Sequence, residues 1–346
     1  MRKMQIRIIP ALLLIGVCFL CSCGKEEILF PYNQEENGYQ QYNGMELTKR
    51  NGNILSAQAD YSEEAESETE NEPVSEPEVL FAQYYEFSDG TEGFIGQLPT
   101  TDSYELPLSV TERGYTRLSP GGLTKFLTAD VALDLCNENS DYEIVYHAQM
   151  IEGIENMSRA YLNDNVQLTF RQLMLAMFAL DANDAASALV QGMGITKDDF
   201  VEKMNEKAGD FGAAASCFTN GTGASDEEQY TTIYDMYLII SHSLLSDEVY
   251  EAFQSLGEEG EYASADGEII YNYEWYCENE IQNGFFEIND FTTLGGFVTV
   301  GTDSGYSLVY YFTDNFGTRY VAIIMNAPGY EAGYNNLRQL VEETMQ

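Results

Sequence analysis

Strand-forming and helix-forming segments are unevenly spread over residues 78–346, and that distribution is the strongest constraint on the fold. Val79–Tyr85 and Tyr104–Val110 carry branched and aromatic residues, with hairpin-type turn residues Asp89-Gly90, Gly93 and Pro99 between them. Towards the other end, Gly296–Val300, Ser307–Thr313 and Tyr320–Asn326 alternate aromatic or branched residues with small ones. The segments between them have helical spacing. Leu123–Leu135 is the first, and Leu168–Leu180 follows, with Thr169 as N-cap ahead of Phe170, Leu173, Met174, Met177 and Phe178. Ala185–Met193, Asp199–Ala208 and Thr232–Leu245 continue the helical run, and Glu331–Thr344 closes the chain as a helix. Strands at both ends and helices between them predict an α+β domain whose terminal strands share one antiparallel sheet. Sequence period alone leaves the topology open.

Residues 1–77 read differently. Arg2, Lys3 and Arg7 form a basic start, and Ile8–Leu20 is an apolar stretch too short for a comfortable membrane span. It ends in Leu20-Cys21-Ser22-Cys23-Gly24, which resembles a bacterial lipobox. The resemblance implies a signal peptide over residues 1–22, lipid on Cys23 and a domain held by acyl chains on the outer face of the cell membrane. From Gly24 to Pro77, apolar periodicity is absent. The run Ser62–Pro73 is low-complexity and acidic, so residues 23–77 are expected to form a lipidated, disordered tether. The run lacks the turn geometry of a calcium loop, and no metal or cofactor is expected anywhere in the chain.

Charge narrows the partners. Sixteen Lys and Arg stand against 57 Asp and Glu, a formal charge of −41. Such a surface repels phosphates, so nucleic acid is excluded as a partner, and direct adhesion to anionic headgroups is disfavoured. Cys136, Cys217 and Cys277 show no C-x-x-C spacing, and an odd number cannot all pair internally. Buried free thiols are the expectation.

Several strings carry a family resemblance. Arg117–Ala129, with Ser119-Pro120-Gly121-Gly122-Leu123-Thr124-Lys125, resembles the nucleophile segment of the D-alanyl-D-alanine carboxypeptidases, the low-molecular-mass penicillin-binding proteins. Asp181-Ala182-Asn183-Asp184-Ala185-Ala186 resembles their second motif. Phe200-Val201, Met204-Asn205-Glu206-Lys207-Ala208, Phe218-x-Asn220-Gly221-Thr222-Gly223 and Tyr230-Thr231-Thr232 follow the family's pattern closely. Gly295–Gly301 aligns with its third motif, Gly-Gly-Lys-Thr-Gly-Tyr-Thr. The resemblance covers Thr116–Ala327. It implies a β-lactamase/transpeptidase-like fold, with an antiparallel sheet drawn from both chain ends and flanked by helices, over 78–346.

It also implies a chemistry from which this chain departs. In an active member a Ser attacks the terminal D-Ala-D-Ala bond, a Lys one turn later takes its proton, and a third-motif Lys binds the substrate carboxylate. Here Lys125 and Asn183 are present as remnants, whereas Gly122, Asp181 and Phe297 replace the nucleophile, the second-motif Ser and the third-motif Lys. No other Lys follows Lys207. No G-x-S-x-G elbow accompanies His147 or His242, and Thr124 points away from Lys125 on a helix, so neither offers a rescue.

The expectation is a surface lipoprotein whose carboxypeptidase-like domain has lost its catalytic motifs. Its partners would be a peptidoglycan stem peptide or a wall-synthesis protein. An active carboxypeptidase with unorthodox residues and a structural surface protein without ligand are the alternatives. Restoration is expected to need Gly122→Ser, Asp181→Ser and Phe297→Lys together. Cys23→Ala should release the protein into the medium or block its processing in cell fractionation; unchanged partitioning into a detergent phase would contradict the anchor.

Overall fold

The computed structural model describes residues 39–42, 45–50, 54–59, 80–98, 106–111, 114–154 and 157–345, with backbone alone through residue 85. The expected signal segment, Cys23 and the acidic run lie outside the described residues. Two sheets and seven α-helices are present in this part of the chain.

The larger sheet contains β1 (Tyr39–Tyr42), β2 (Met45–Arg50), β3 (Ile54–Ala59), β4 (Leu80–Tyr85), β5 (Glu92–Gln97) and β6 (Leu106–Thr111) from the front of the chain. From the back it takes β11 (Thr292–Gly301), β12 (Gly305–Thr313) and β13 (Arg319–Ala327), in the order β1-β2-β3-β4-β6-β5-β13-β12-β11. β5 pairs antiparallel with β13, so the chain ends meet as expected. The β4–β6 pair is parallel, the exception in an otherwise antiparallel sheet. Phe94, Ile323 and Val309 face the helical layer, and Ile95, Ile324 and Leu308 face the other side. This alternation buries both faces of the central strands.

The strands β1–β3 fall inside the stretch expected to carry no fold. Their pairing with β4 is a tertiary effect, because a sheet edge offers backbone partners to segments with no apolar period of their own. A second sheet was not expected either. β7 (Glu143–Tyr146), β8 (Val166–Thr169), β9 (Gly257–Ser264) and β10 (Ile270–Tyr276) run in the order β10-β9-β8-β7.

The helical layer is α1 (Thr124–Leu135, entered through a 3₁₀ turn over Gly121–Leu123), α2 (Phe170–Ala179), α3 (Asn183–Gly192), α4 (Lys197–Asp210), α5 (Ile233–Ser243), α6 (Asp247–Gln254) and, on the opposite sheet face, α7 (Tyr330–Thr344). Thr169 does cap α2: its hydroxyl accepts from Gln172 N while the Gln172 amide oxygen accepts from Thr169 N. α1 is buried on almost every side and carries no apolar stripe, which marks it as the central helix. Among the described residues, no helix is long and apolar enough to cross a membrane. Cys136, Cys217 and Cys277 are buried, and none is in a disulfide among the described residues.

Asp130 is buried in α1 beside Ser243 of α5, and burial pushes its carboxyl up to about 7. Ser243 Oγ also donates to Ile239 O at 2.8 Å. A hydroxyl has one proton to give, so a protonated Asp130 that donates to Ser243 Oγ satisfies both contacts. A folded-state pKa raised above 3.8 stabilises fully below about pH 4 and loses that contribution as pH rises through about 7. Asp130→Asn should therefore flatten this part of the Tm–pH curve relative to the wild type; parallel curves for the two proteins would contradict the assignment.

Candidate functional site

The lead into α1, the turn before α3 and β11 converge on Lys125. Its side chain is fully buried, and its Nζ lies 2.8 Å from Asp181 Oδ1 and donates to Thr222 O at 3.2 Å. Asp181 adopts a left-handed backbone (φ 51°), which Asp tolerates better than most residues and which turns its carboxylate towards α1. Asp181 Oδ2 accepts from Thr299 Oγ1 at 2.8 Å. Burial raises the Asp181 pKa above the usual carboxylate range, against the pull of the Lys125 ammonium and the Thr299 hydroxyl. The Lys125 Nζ thus lies against the Asp181 carboxylate and the Thr222 carbonyl rather than against open cleft.

Thr299 was missed as a site residue. It stands where the third motif carries its third Gly, and it shares a strand face with Phe297 two residues earlier. A Cβ built on Gly122 would fall inside the Thr299 hydroxyl, 2.8 Å from Thr299 Cβ and 2.9 Å from Asp181 Oδ1. The two positions are reciprocal: the space beside Gly122, which has no side chain, is taken up by the side chain of Thr299. A β-branched residue at a Gly position of the motif was the available signal.

The other singled-out residues serve packing. Phe297 is 1% exposed and makes edge-to-face contacts with Phe126 and Phe178, each with ring centroids 5.7 Å apart. No ammonium occupies that position, and the aromatic cluster seals this part of the cleft floor. Asn183 does not line the cleft. Its Nδ2 donates to Ser158 O at 3.0 Å and Asp181 O at 3.3 Å, so it clamps the turn that presents Asp181. Asn220 Oδ1 accepts from the amides of Thr222, Gly223 and Ala224, holding the loop that offers Thr222 O to Lys125. Gly223 (φ 81°) packs directly on Gly121 O, where a side chain has no room. The two histidines stand apart: His147 is 4.0 Å from Asp164, and His242 stacks on Phe211.

Above Asp181 opens a cleft of about 770 Å³, bordered by Tyr161, Glu274, Tyr276, Val298 and Tyr330. A smaller hollow of about 400 Å³ beside β8 and β9 touches none of the motif residues. Among the described residues, no group of three or more His, Cys, Asp or Glu converges as metal ligands.

The architecture is that of the DD-transpeptidases. The Streptomyces K15 DD-transpeptidase superposes with a TM-score of 0.65 at 22% identity, over 73% of this chain and 95% of that one. A penicillin-binding protein homologue from Mycobacterium tuberculosis gives 0.59 at 18% identity, over 74% and 91%. Residues 111–329 match the D-alanyl-D-alanine carboxypeptidase family, and the chain belongs to it. D-alanyl-D-alanine carboxypeptidase DacA of Haemophilus influenzae is 23% identical over 270 residues, 77% of this chain and 62% of that protein. DacF of Bacillus subtilis is 26% identical over 148 residues, 41% of this chain and 37% of its own length. The chain thus spans less than two thirds of these curated relatives.

Gly122→Ala should lower stability by about 1–3 kcal/mol through overpacking against Thr299. Combining it with Thr299→Gly should recover part of that loss, giving a coupling of roughly 0.5–3 kcal/mol in a urea double-mutant cycle. Strict additivity would show that the two positions do not compete for the same space.

Proposed function

We propose that this chain is a lipid-anchored surface protein whose carboxypeptidase-like domain binds cell-wall peptides or wall-synthesis partners without acyl transfer. The observation that carries the reading is the Thr299 hydroxyl, which fills the space a nucleophile on Gly122 would need. Two further features support it. The Lys125 amine is engaged by Asp181, and Phe297 leaves the carboxylate-binding position without a cation. A nucleophile needs an adjacent base with a free lone pair, and removing one member of such a set already abolishes most of its effect. The cleft itself persists, so binding is the capacity that remains.

The competing reading is a working carboxypeptidase, and one observation favours it. Thr299 Oγ1 donates to a carboxylate oxygen at 2.8 Å, the contact of a hydroxyl with its base. Against it, Thr299 is 3% exposed on a strand, packed against the start of α1.

The purified domain should take no covalent label from fluorescent penicillin and release no D-Ala from a pentapeptide. Gly122→Ser should also remain unlabelled, because it lacks both the space and a free base; adding Thr299→Gly, Asp181→Ser and Phe297→Lys supplies what is missing. Stoichiometric labelling of the wild type, abolished in Thr299→Val, would establish the competing reading.

A further inference from the structure

The strand β10 forms one wall of the cleft and is the end strand of its sheet. Its hydrogen-bond phase is set at both ends. Cys277 N donates to Leu256 O at 3.0 Å, and Ser264 N donates to Ile269 O at 2.8 Å. Odd-numbered residues therefore exchange bonds with β9, and the N–H and C=O groups of Asn272, Glu274 and Tyr276 point off the sheet. Among the described residues these groups have no backbone partner. The strand is held firmly from its other face: Tyr273 and Trp275 are buried and stack with centroids 3.9 Å apart. A rigid edge with unpaired backbone groups opening onto a cleft is a template for an added strand.

The same strand specifies charge. Glu274 lies directly opposite Glu259 in a non-hydrogen-bonded pair, the closer of the two antiparallel arrangements. Like charges so placed destabilise a sheet. Glu261 follows opposite Asn272 on the same outward face, and all three carboxylates are exposed. No ion pair offsets them among the described residues. Glu278 extends the acidic wall into the cleft. Arg159, a cation among the residues lining the cleft, sits over the Tyr161 ring at 4.9 Å. A ligand that brings positive charge to β10 relieves this repulsion, and exposed Tyr276 offers a ring face to it.

We infer that the free edge of β10 is the docking strand for an extended peptide segment bearing lysine or arginine, which adds to the sheet and sets its cations against Glu274, Glu259 and Glu278. The inference rests on the reading of the cleft as a peptide-binding surface, and it names the edge and the charge of the occupant.

The test uses the full-length protein and two labelled octapeptides, (Thr-Lys)4 and (Thr-Glu)4, in fluorescence anisotropy. The lysine peptide should bind, with affinity falling as salt rises, and the glutamate peptide should not. Glu274→Gln should weaken binding a few-fold. Glu274→Pro should weaken it at least tenfold more, because it removes an outward N–H that β9 does not use. A lysine peptide N-methylated at alternate residues should bind at least tenfold more weakly to the wild type, which decides the matter even if the proline variant fails to fold. Equal binding of the two octapeptides overturns the charge assignment. Equal affinities of the glutamine and proline variants, with no effect of N-methylation, overturn strand addition. Penicillin labelling of the same preparation reports separately on acyl transfer, so the two readings fail independently.

Discussion

The contact between Lys125 and Asp181 is the interaction on which the cleft floor depends. A fully buried ammonium is tolerated only with a partner at hydrogen-bond range, and removing one member of such a pair typically costs about 3–5 kcal/mol. Everything around it serves to keep the partners in place. Asn183 clamps the turn that holds Asp181 in a left-handed conformation, Asn220 fixes the loop that lends Thr222 O, and Thr299 occupies the remaining carboxylate oxygen. In the family's working members the corresponding Lys is a base. Here the Lys125–Asp181 contact ties the lead of α1 to the turn before α3.

That tie is anchored to a sheet closed by the pairing of β5 with β13, which joins the front of the domain to its back. β11 lies two strands further out and delivers both Phe297 and Thr299 to the same face. One strand thus carries two of the substitutions that separate this site from its relatives. Phe126, next to Lys125 in α1, receives the Phe297 ring, so this position is filled by aromatic packing.

Much of this was legible in the sequence, for identifiable reasons. α2 and the β11–β12–β13 meander carry strong patterns, α1 was marked by its motif string rather than by a stripe, and Thr169 with Gln172 spells out its own cap. The motif positions Gly122, Lys125, Asp181 and Phe297 could be named because long strings around them hold the register. β9 was not legible: Gly257-Glu258-Glu259-Gly260-Glu261 has poor strand composition and becomes a strand through its pairing with β10. β10, with Tyr271, Tyr273 and Trp275 alternating with polar residues, carried a plain signal that was passed over. Thr299 escaped because its meaning lies in a contact with Gly122, 177 positions away in sequence and reached only through the fold.

The exchange of side chains between Gly122 and Thr299 also acts as a ratchet. Restoring the helix residue first drives two side chains into one space, while clearing the strand residue first strips Asp181 of a hydrogen bond and leaves a glycine in a buried strand. Each single step back is uphill, although both together are sterically consistent. On the reading proposed above, a lineage that crossed this point keeps the fold and the cleft while the Thr299 side chain bars a side chain at residue 122. Such a domain is free to diversify around its opening, where the tyrosines and carboxylates now stand.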